Sequence, residues 1–268
     1  MTDRPPLSRA VLGATLVAAV LVVVATVVFN APANWLAVYV ARETRDAVLL
    51  ADAQGTVWTG SAVVAVGAAD GSQGGQPAER LALPGRVTWT LEWTRLLAPV
   101  LHLTHDGVLL QPLAVRYVGG APTLDAGAAI VPASLLRLAG APLNTLSPDG
   151  RCELRWNGLR IDPQGLPVGE GTLRIGGFAL AISPVRPLGD YLVTWASGAS
   201  GLVWQIATER GPLALEGNGR FGGARSQVRI VVRAASDTPA AVVARLGPLL
   251  DLIGRRGPNE AIIQSGAS

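Results

Sequence analysis

Beyond residue 55 the chain alternates hydrophobic and polar positions in short runs. Val87-Thr88-Trp89-Thr90-Leu91-Glu92-Trp93 puts Trp89, Leu91 and Trp93 on one side and Thr88, Thr90 and Glu92 on the other. A two-residue period with that contrast is a strand with one face covered. Residues 151–156 and 227–233 repeat the pattern, and further strands are predicted over 56–66, 107–117, 171–183, 191–195, 202–208 and 212–217. Asp106-Gly107, Asp149-Gly150 and several Gly-Pro steps mark the turns. One-sided alternation predicts antiparallel pairing, and the runs lie too close together for the crossover helices that parallel strands require. The Gly-rich stretch 67–76 reads as a mobile loop.

Three segments keep a helical pattern. Asn34 is placed as the cap of a short helix running toward Asp46, with Trp35 and Tyr39 four apart on one face. Those rings suit either a membrane interface or the domain core. Residues 132–138 form a short helix stopped by Gly140 and Pro142. Residues 238–253 form a longer one, capped by Thr238, closed by Gly254 and interrupted at Gly247-Pro248. Strands followed by a short Leu-rich helix occur twice, which hints at a duplication.

The N-terminus differs from the rest. Ala10 to Phe29 is a run of 20 residues without a charge. As a helix it would extend about 30 Å, the thickness of a bilayer's hydrocarbon core. Arg4 and Arg9 precede it and orient residues 1–9 toward the cytoplasm, which puts residues 30–268 outside as one periplasmic β-rich domain. A cleaved signal peptide is the rival reading, since Ala31-Pro32-Ala33 has small residues where a peptidase would cut. The apolar run exceeds the usual signal core of about 7 to 15 residues, and Pro32 lies inside the supposed site. The expected fold class is therefore all-β, a mainly antiparallel, curved or taco-like sheet with short peripheral helices, plus one N-terminal transmembrane helix.

Composition narrows the chemistry. Gly 32 and Pro 19 in 268 residues, at 49% hydrophobic, fit turns between strands rather than disorder. Every basic residue is Arg, the net charge is only +3, and no Arg run has interleaved aromatics, so no nucleic-acid partner is expected. Cys152, the single cysteine, precludes an intrachain disulfide and reads as a buried small hydrophobe. His102 and His105, with Asp106, are three apart on a strand and so face opposite ways; the stretch reads as a solvated hairpin end, and no metal is expected. The Gly217-Asn-Gly-Arg-Phe-Gly222 run matches a dinucleotide fingerprint in letters, but a strand pattern follows where a helix is needed. It is assigned to a flexible hairpin turn, with no cofactor. Lys is absent, no Ser sits in an elbow motif and no carboxylate pair has a reason to meet, so no catalytic residues are assigned and no enzyme is expected. Trp58, Trp89, Trp93, Trp156, Trp195 and Trp204 are the candidate core aromatics.

The ordered landmarks GTVWTG (55–60), VTWTLEWTRLL (87–97), PLGDY (187–191), GPLALEGNG (211–219) and LLDLIGRRGPNEAIIQSG (249–266), after the apolar leader, resemble the type II secretion system protein N family. The resemblance spans nearly the whole chain; the insert at 67–76 and the sparsely patterned stretch 123–148 depart from it. It implies an inner-membrane accessory subunit of the secretion machine, single-pass and mostly periplasmic. Such a subunit supports export of folded proteins across the outer membrane through contacts with inner-membrane secretion subunits. The alternative is a periplasmic lipid-handling or envelope-biogenesis protein, whose Trp-rich sheet face holds lipid in an apolar groove. An envelope hydrolase is a third class without a residue constellation to carry it.

Overall fold

A computed structural model describes residues 9–67, 80–93, 98–139, 143–162, 167–198, 201–221, 227–257 and 260–265. For 9–14, 139, 143, 198, 255–257, 260 and 263–265 only the backbone is described. The predicted loop at 67–76 and Arg4 lie outside these residues, apart from Gly67, which ends a strand.

Helix α1 (Arg9–Phe29) is followed by α2 (Ala33–Glu43). The first half of the sheet is β1 (Val48–Gly55), β2 (Thr59–Gly67), β3 (Arg80–Ala82), β4 (Val87–Trp93), β5 (Pro99–His105), β6 (Leu113–Val118), β7 (Ala121–Leu124) and β8 (Gly127–Pro132). A 3₁₀ helix (Ala133–Ala139) and the single turn α3 (Leu143–Leu146) separate it from the second half. There β9 (Pro148–Ile161), β10 (Pro167–Leu180), β11 (Gly189–Gly198), β12 (Gly201–Arg210), β13 (Leu213–Phe221) and β14 (Gln227–Ala234) form a meander. Helix α4 (Ala240–Ile253), β15 (Arg255–Gly257) and β16 (Glu260–Ser265) complete it.

All sixteen strands join one sheet in the order β1-β2-β4-β5-β6-β7-β9-β10-β11-β12-β13-β14-β16-β15, with β3 on β2 and β8 on β9. Every described ladder is antiparallel. The register carries one apolar face from β2 to β9. Gly60 pairs with Trp89, Trp89 with Leu103, and Leu103 with Leu113. Next to them Leu101 pairs with Val115, Val115 with Leu124, and Leu124 with Leu159. Two residues apart on each strand is the same face, so the rows are continuous.

That face is covered in three places. Helix α2 lays Ala33 and Leu36 on Ala62, Leu50 and Trp89. In the middle Val108, Leu113, Ala129, Trp156 and Leu159 pack together. At the far end α4 inserts Leu246, Leu249 and Leu250 against Ile175, Tyr191, Leu213 and Val232, joined by Cys152 and Ala133. The 3₁₀ helix touches both β9 and β2, so the sheet bends around it with the apolar face inward.

Within this face each of four tryptophans lies over a glycine of the adjoining strand. A Cβ on Gly60 would come 2.5 Å from the Trp89 ring, on Gly127 2.4 Å from Trp156, on Gly171 2.1 Å from Trp195, and on Gly219 2.6 Å from Trp204. The bare glycine gives the large flat ring a seat level with its neighbours, which is how an aromatic covers a strand glycine.

Several expectations need correction. The glycines of 217–222 are not a hairpin turn as far as Phe221; Gly217 and Gly219 sit inside β13, beneath Ile230 and Trp204. Asn34 lies inside α2, which Pro32 precedes, and neither α2 nor α4 has a side-chain cap. Thr238 instead donates its hydroxyl to the Pro212 carbonyl, 3.2 Å away. Strand β1 precedes the predicted start of the β pattern, and ahead of β6 residues 106–108 form a turn and Leu109 bridges to Ala129. Among the described residues no helix is long and apolar enough to cross a membrane.

The glycine seats make a direct prediction. Gly127→Ala should cost about 1–3 kcal/mol of stability, as overpacking does, because the three atoms nearest its methyl all belong to the Trp156 ring. In a Trp156→Leu background the same change should cost clearly less in urea unfolding. Equal cost in both backgrounds would show that the ring does not set the requirement.

Candidate functional site

Chemistry-bearing side chains are widely separated. Among the described residues no three His, Cys, Asp or Glu side chains come together as a metal-binding group. His102 stands on the exposed side of β5 with Glu92 3.7 Å away. His105, expected at a solvated hairpin end, is buried, with Nδ1 3.0 Å from the Asp106 carbonyl and Nε2 without a partner. The turn after it is closed by Val108 and Leu109 N–H bonds to the His105 carbonyl. Cys152 is buried in the main cluster, and loss of solvent around the sulfur pushes its thiol up to about 11.

The candidate core tryptophans fall into three pairs. Trp89 and Trp156 are buried, and each indole N–H ties down a turn: Trp89 donates to the Thr56 and Val57 carbonyls, each 3.2 Å away, and Trp156 to Asp125 at 2.7 Å. Trp195 and Trp204 are half-buried cross-strand neighbours held by packing alone, with indole N–H groups unpartnered. Trp204 also stacks on Phe221. Trp93, expected in the core, is 55% exposed because it ends β4 beyond the covered part of the face. It leans on half-buried Trp58 instead, ring centroids 6.2 Å apart.

Trp58 belongs to the turn between β1 and β2, and that turn meets the end of α1. Its indole N–H donates to the Val28 carbonyl at 2.7 Å, one of the last carbonyls of the helix, which have no partner within it. The Val57 N–H donates to Ala31 at 2.9 Å, and Pro32 bridges to Thr56. The turn is thus fastened to both sides of the link between α1 and α2. Of the residues expected to bound the apolar segment, Arg9 and Ala10 begin α1, while Phe29 ends it and is 73% exposed.

A second region lies on the opposite, polar face of the meander. Arg155, Thr172, Thr194, Gln205, Asn218 and Arg229 are consecutive register partners from β9 to β14. At strand spacing the row is about 24 Å long. Arg155 is held by Glu153 on its own strand, Arg174 by Glu209 and Arg233 by Glu216. By contrast Thr194, Gln205, Asn218 and Arg229 have no side-chain partner among the described residues and line an open groove of about 670 Å³. Nothing in the sequence pattern distinguished these residues from any other polar strand face; only the register aligns them.

The remaining landmark, Pro187 to Tyr191, is structural. Leu188 is fully buried, and the Tyr191 hydroxyl donates to the Leu213 carbonyl at 2.9 Å. Asp190 accepts the Gly177 N–H at 2.6 Å and pairs with Arg210. The Gly177 N–H, aided by Arg210, holds this carboxyl below its usual range.

Two measurements follow from these environments. Cys152 should resist maleimide at pH 8, where about one thiol in a thousand is ionised at so high a pKa; prompt labelling of folded protein would contradict its burial. Asp190→Asn should lower stability near neutral pH. Because the folded carboxyl titrates below the unfolded one, its contribution is present above the unfolded value and lost as pH falls through the folded value. The gap between wild type and variant in urea midpoint should therefore narrow in acid; a gap that persists at pH 2 would argue against the charge as cause.

No curated protein and no solved structure matches the chain. The family model described as type II secretion system (T2SS), protein N, matches residues 46–262. It begins at the edge of β1 and ends within β16, taking in the sheet and α4. The chain belongs to the type II secretion system protein N family, and is an accessory component of that secretion system.

Proposed function

We propose that this protein is a single-pass inner-membrane subunit that supports secretion by holding other secretion-system subunits against the polar face of its β9–β14 meander. The observation that carries the reading is the row of Thr194, Gln205, Asn218 and Arg229 along an open groove, with no side-chain partner among the described residues. Amides, a hydroxyl and a guanidinium offer both donors and acceptors at strand spacing. A protein surface supplies matching groups, whereas a small substrate would need a concave, mostly apolar pocket.

The anchor rests on the uncharged run 10–29, on α1 covering that run, and on the exposure of every described side chain from Thr15 to Phe29. Exposed Leu, Val and Phe over that length are costly in water and favourable in hydrocarbon. Arg4 and Arg9 then favour a cytoplasmic N-terminus and a periplasmic sheet. Tethering raises the local concentration of membrane partners and lets individually weak polar contacts suffice. The lipid-groove alternative is weaker, because the tryptophans lie over glycines of their own sheet and fill space there.

Two experiments test this. The full chain should stay with membranes through an alkaline carbonate wash, and a form lacking residues 1–29 should be released; release of the full chain would remove the anchor. A photo-crosslinker at Gln205 or Asn218 in living cells should capture another secretion-system subunit. The Gln205→Ala, Asn218→Ala, Arg229→Glu triple variant should weaken that contact about tenfold or more, at roughly 1 kcal/mol per lost bond. Unchanged capture and secretion in the triple variant would refute the polar row as the contact.

A further inference from the structure

We infer that the turn at 55–60 and helix α2 form an aromatic collar that rests in the headgroup layer of the bilayer. The inference depends on α1 being the membrane anchor. It adds a specific lipid-facing surface on the folded domain, built from Phe29, Trp35, Tyr39, Trp58 and Trp93.

Position comes from the bond between Trp58 and the Val28 carbonyl, which fixes the turn at the last residues of the apolar helix. Trp93 is brought to the same level by its contact with Trp58. The Val57 and Pro32 links leave the turn no freedom to swing away from the helix end. Where the apolar run stops, hydrocarbon gives way to headgroups, so these rings lie at that boundary.

Chemistry fits the same layer. Phe29, Trp35, Tyr39 and Trp93 are all more than half exposed, as is Val38 beside them on α2. Helix α2 turns Ala33 and Leu36 to the sheet, which leaves Trp35, Val38 and Tyr39 on its outer side. No charged residue occurs between Ala10 and Ala41, so the collar extends the uncharged stretch past the end of α1, and Thr56 to Gly60 also carries none. Indole and phenol rings with one polar edge prefer the headgroup region to either water or hydrocarbon. Continuity with the apolar helix selects lipid as the occupant; a protein partner or a second copy would not require the patch to be level with the helix end.

The test uses the full chain, purified alone and reconstituted in phosphatidylethanolamine–phosphatidylglycerol vesicles containing a lipid with a nitroxide near the top of its acyl chain. Cysteine is introduced singly at Trp93→Cys, Tyr39→Cys or, as an exposed apolar comparator on α4, Leu252→Cys, and labelled with a polarity-sensitive fluorophore. Native Cys152 is buried and stays unlabelled, and its continued protection reports that each variant is folded. The inference expects blue-shifted emission and strong quenching at 39 and 93, and neither at 252. If carbonate-resistant protein shows no more quenching at 39 and 93 than at 252, the collar does not touch lipid and the inference falls while the anchor stands. If the protein is not retained by the vesicles, the anchor and the collar fall together. Quenching by lipid with purified protein alone excludes a partner subunit as the occupant.

Discussion

An antiparallel sheet of sixteen strands must keep one apolar face continuous while it bends, and the contact that meets both demands is a tryptophan seated on the glycine of the next strand. A large ring provides cover that extends beyond its own strand. The glycine removes the side chain that would hold the ring away from the sheet. Trp89 on Gly60, Trp156 on Gly127, Trp195 on Gly171 and Trp204 on Gly219 place this device in both halves of the chain. Helices then cover the ends, α2 near Trp89 and α4 near Tyr191. Two short landmarks of the sequence serve the same end: GTVWTG supplies Gly60 and the turn that Trp89 grips, and GNG supplies the seat for Trp204.

This explains what the sequence could and could not reveal. Two-residue alternation depends only on having one face covered, so β4, β9 and β14 were legible, and so was the antiparallel class. Strands β7 and β8 are short; β8 has Gly127, Ala128 and Ala129 buried in succession, so no polar face alternates with the apolar one. The glycines of β13 read as a turn because a glycine needed for space has the same letter as one needed for a positive φ. Trp93 and Trp89 share a face by spacing, yet one is exposed and one buried, because burial depends on where α2 ends rather than on strand periodicity. Capping expectations failed for a related reason: Pro32 and Pro239 begin their helices without a side-chain cap, and Thr238 is occupied by Pro212.

Sites were less legible than fold. The polar row from Arg155 to Arg229 draws one residue from each of six strands, and its members are no nearer in sequence than the strands themselves. A one-residue slip in any ladder would break it. The bulges in β10 at Gly169–Gly171 and at Gly176–Ala179 therefore matter beyond local shape, since they set the phase with which β9 meets β10. Asp190, by holding the Gly177 N–H, helps fix the second of them. A buried landmark thus acts on an exposed surface through register.

The same reasoning connects the surface to the helix. If residues 10–29 lie in a membrane, the polar row is useful only when it is presented at a constant angle to that membrane. A tether through a flexible linker would not provide this, because the sheet could turn freely about it. Here the link between α1 and α2 is three residues, Asn30 to Pro32, and it is fastened from the side by Trp58, Val57 and Thr56. Trp89 in turn clamps that turn from within the core. An unbroken series of contacts therefore runs from the helix end through two indoles into the sheet, and it gives the domain one orientation for its partners to meet.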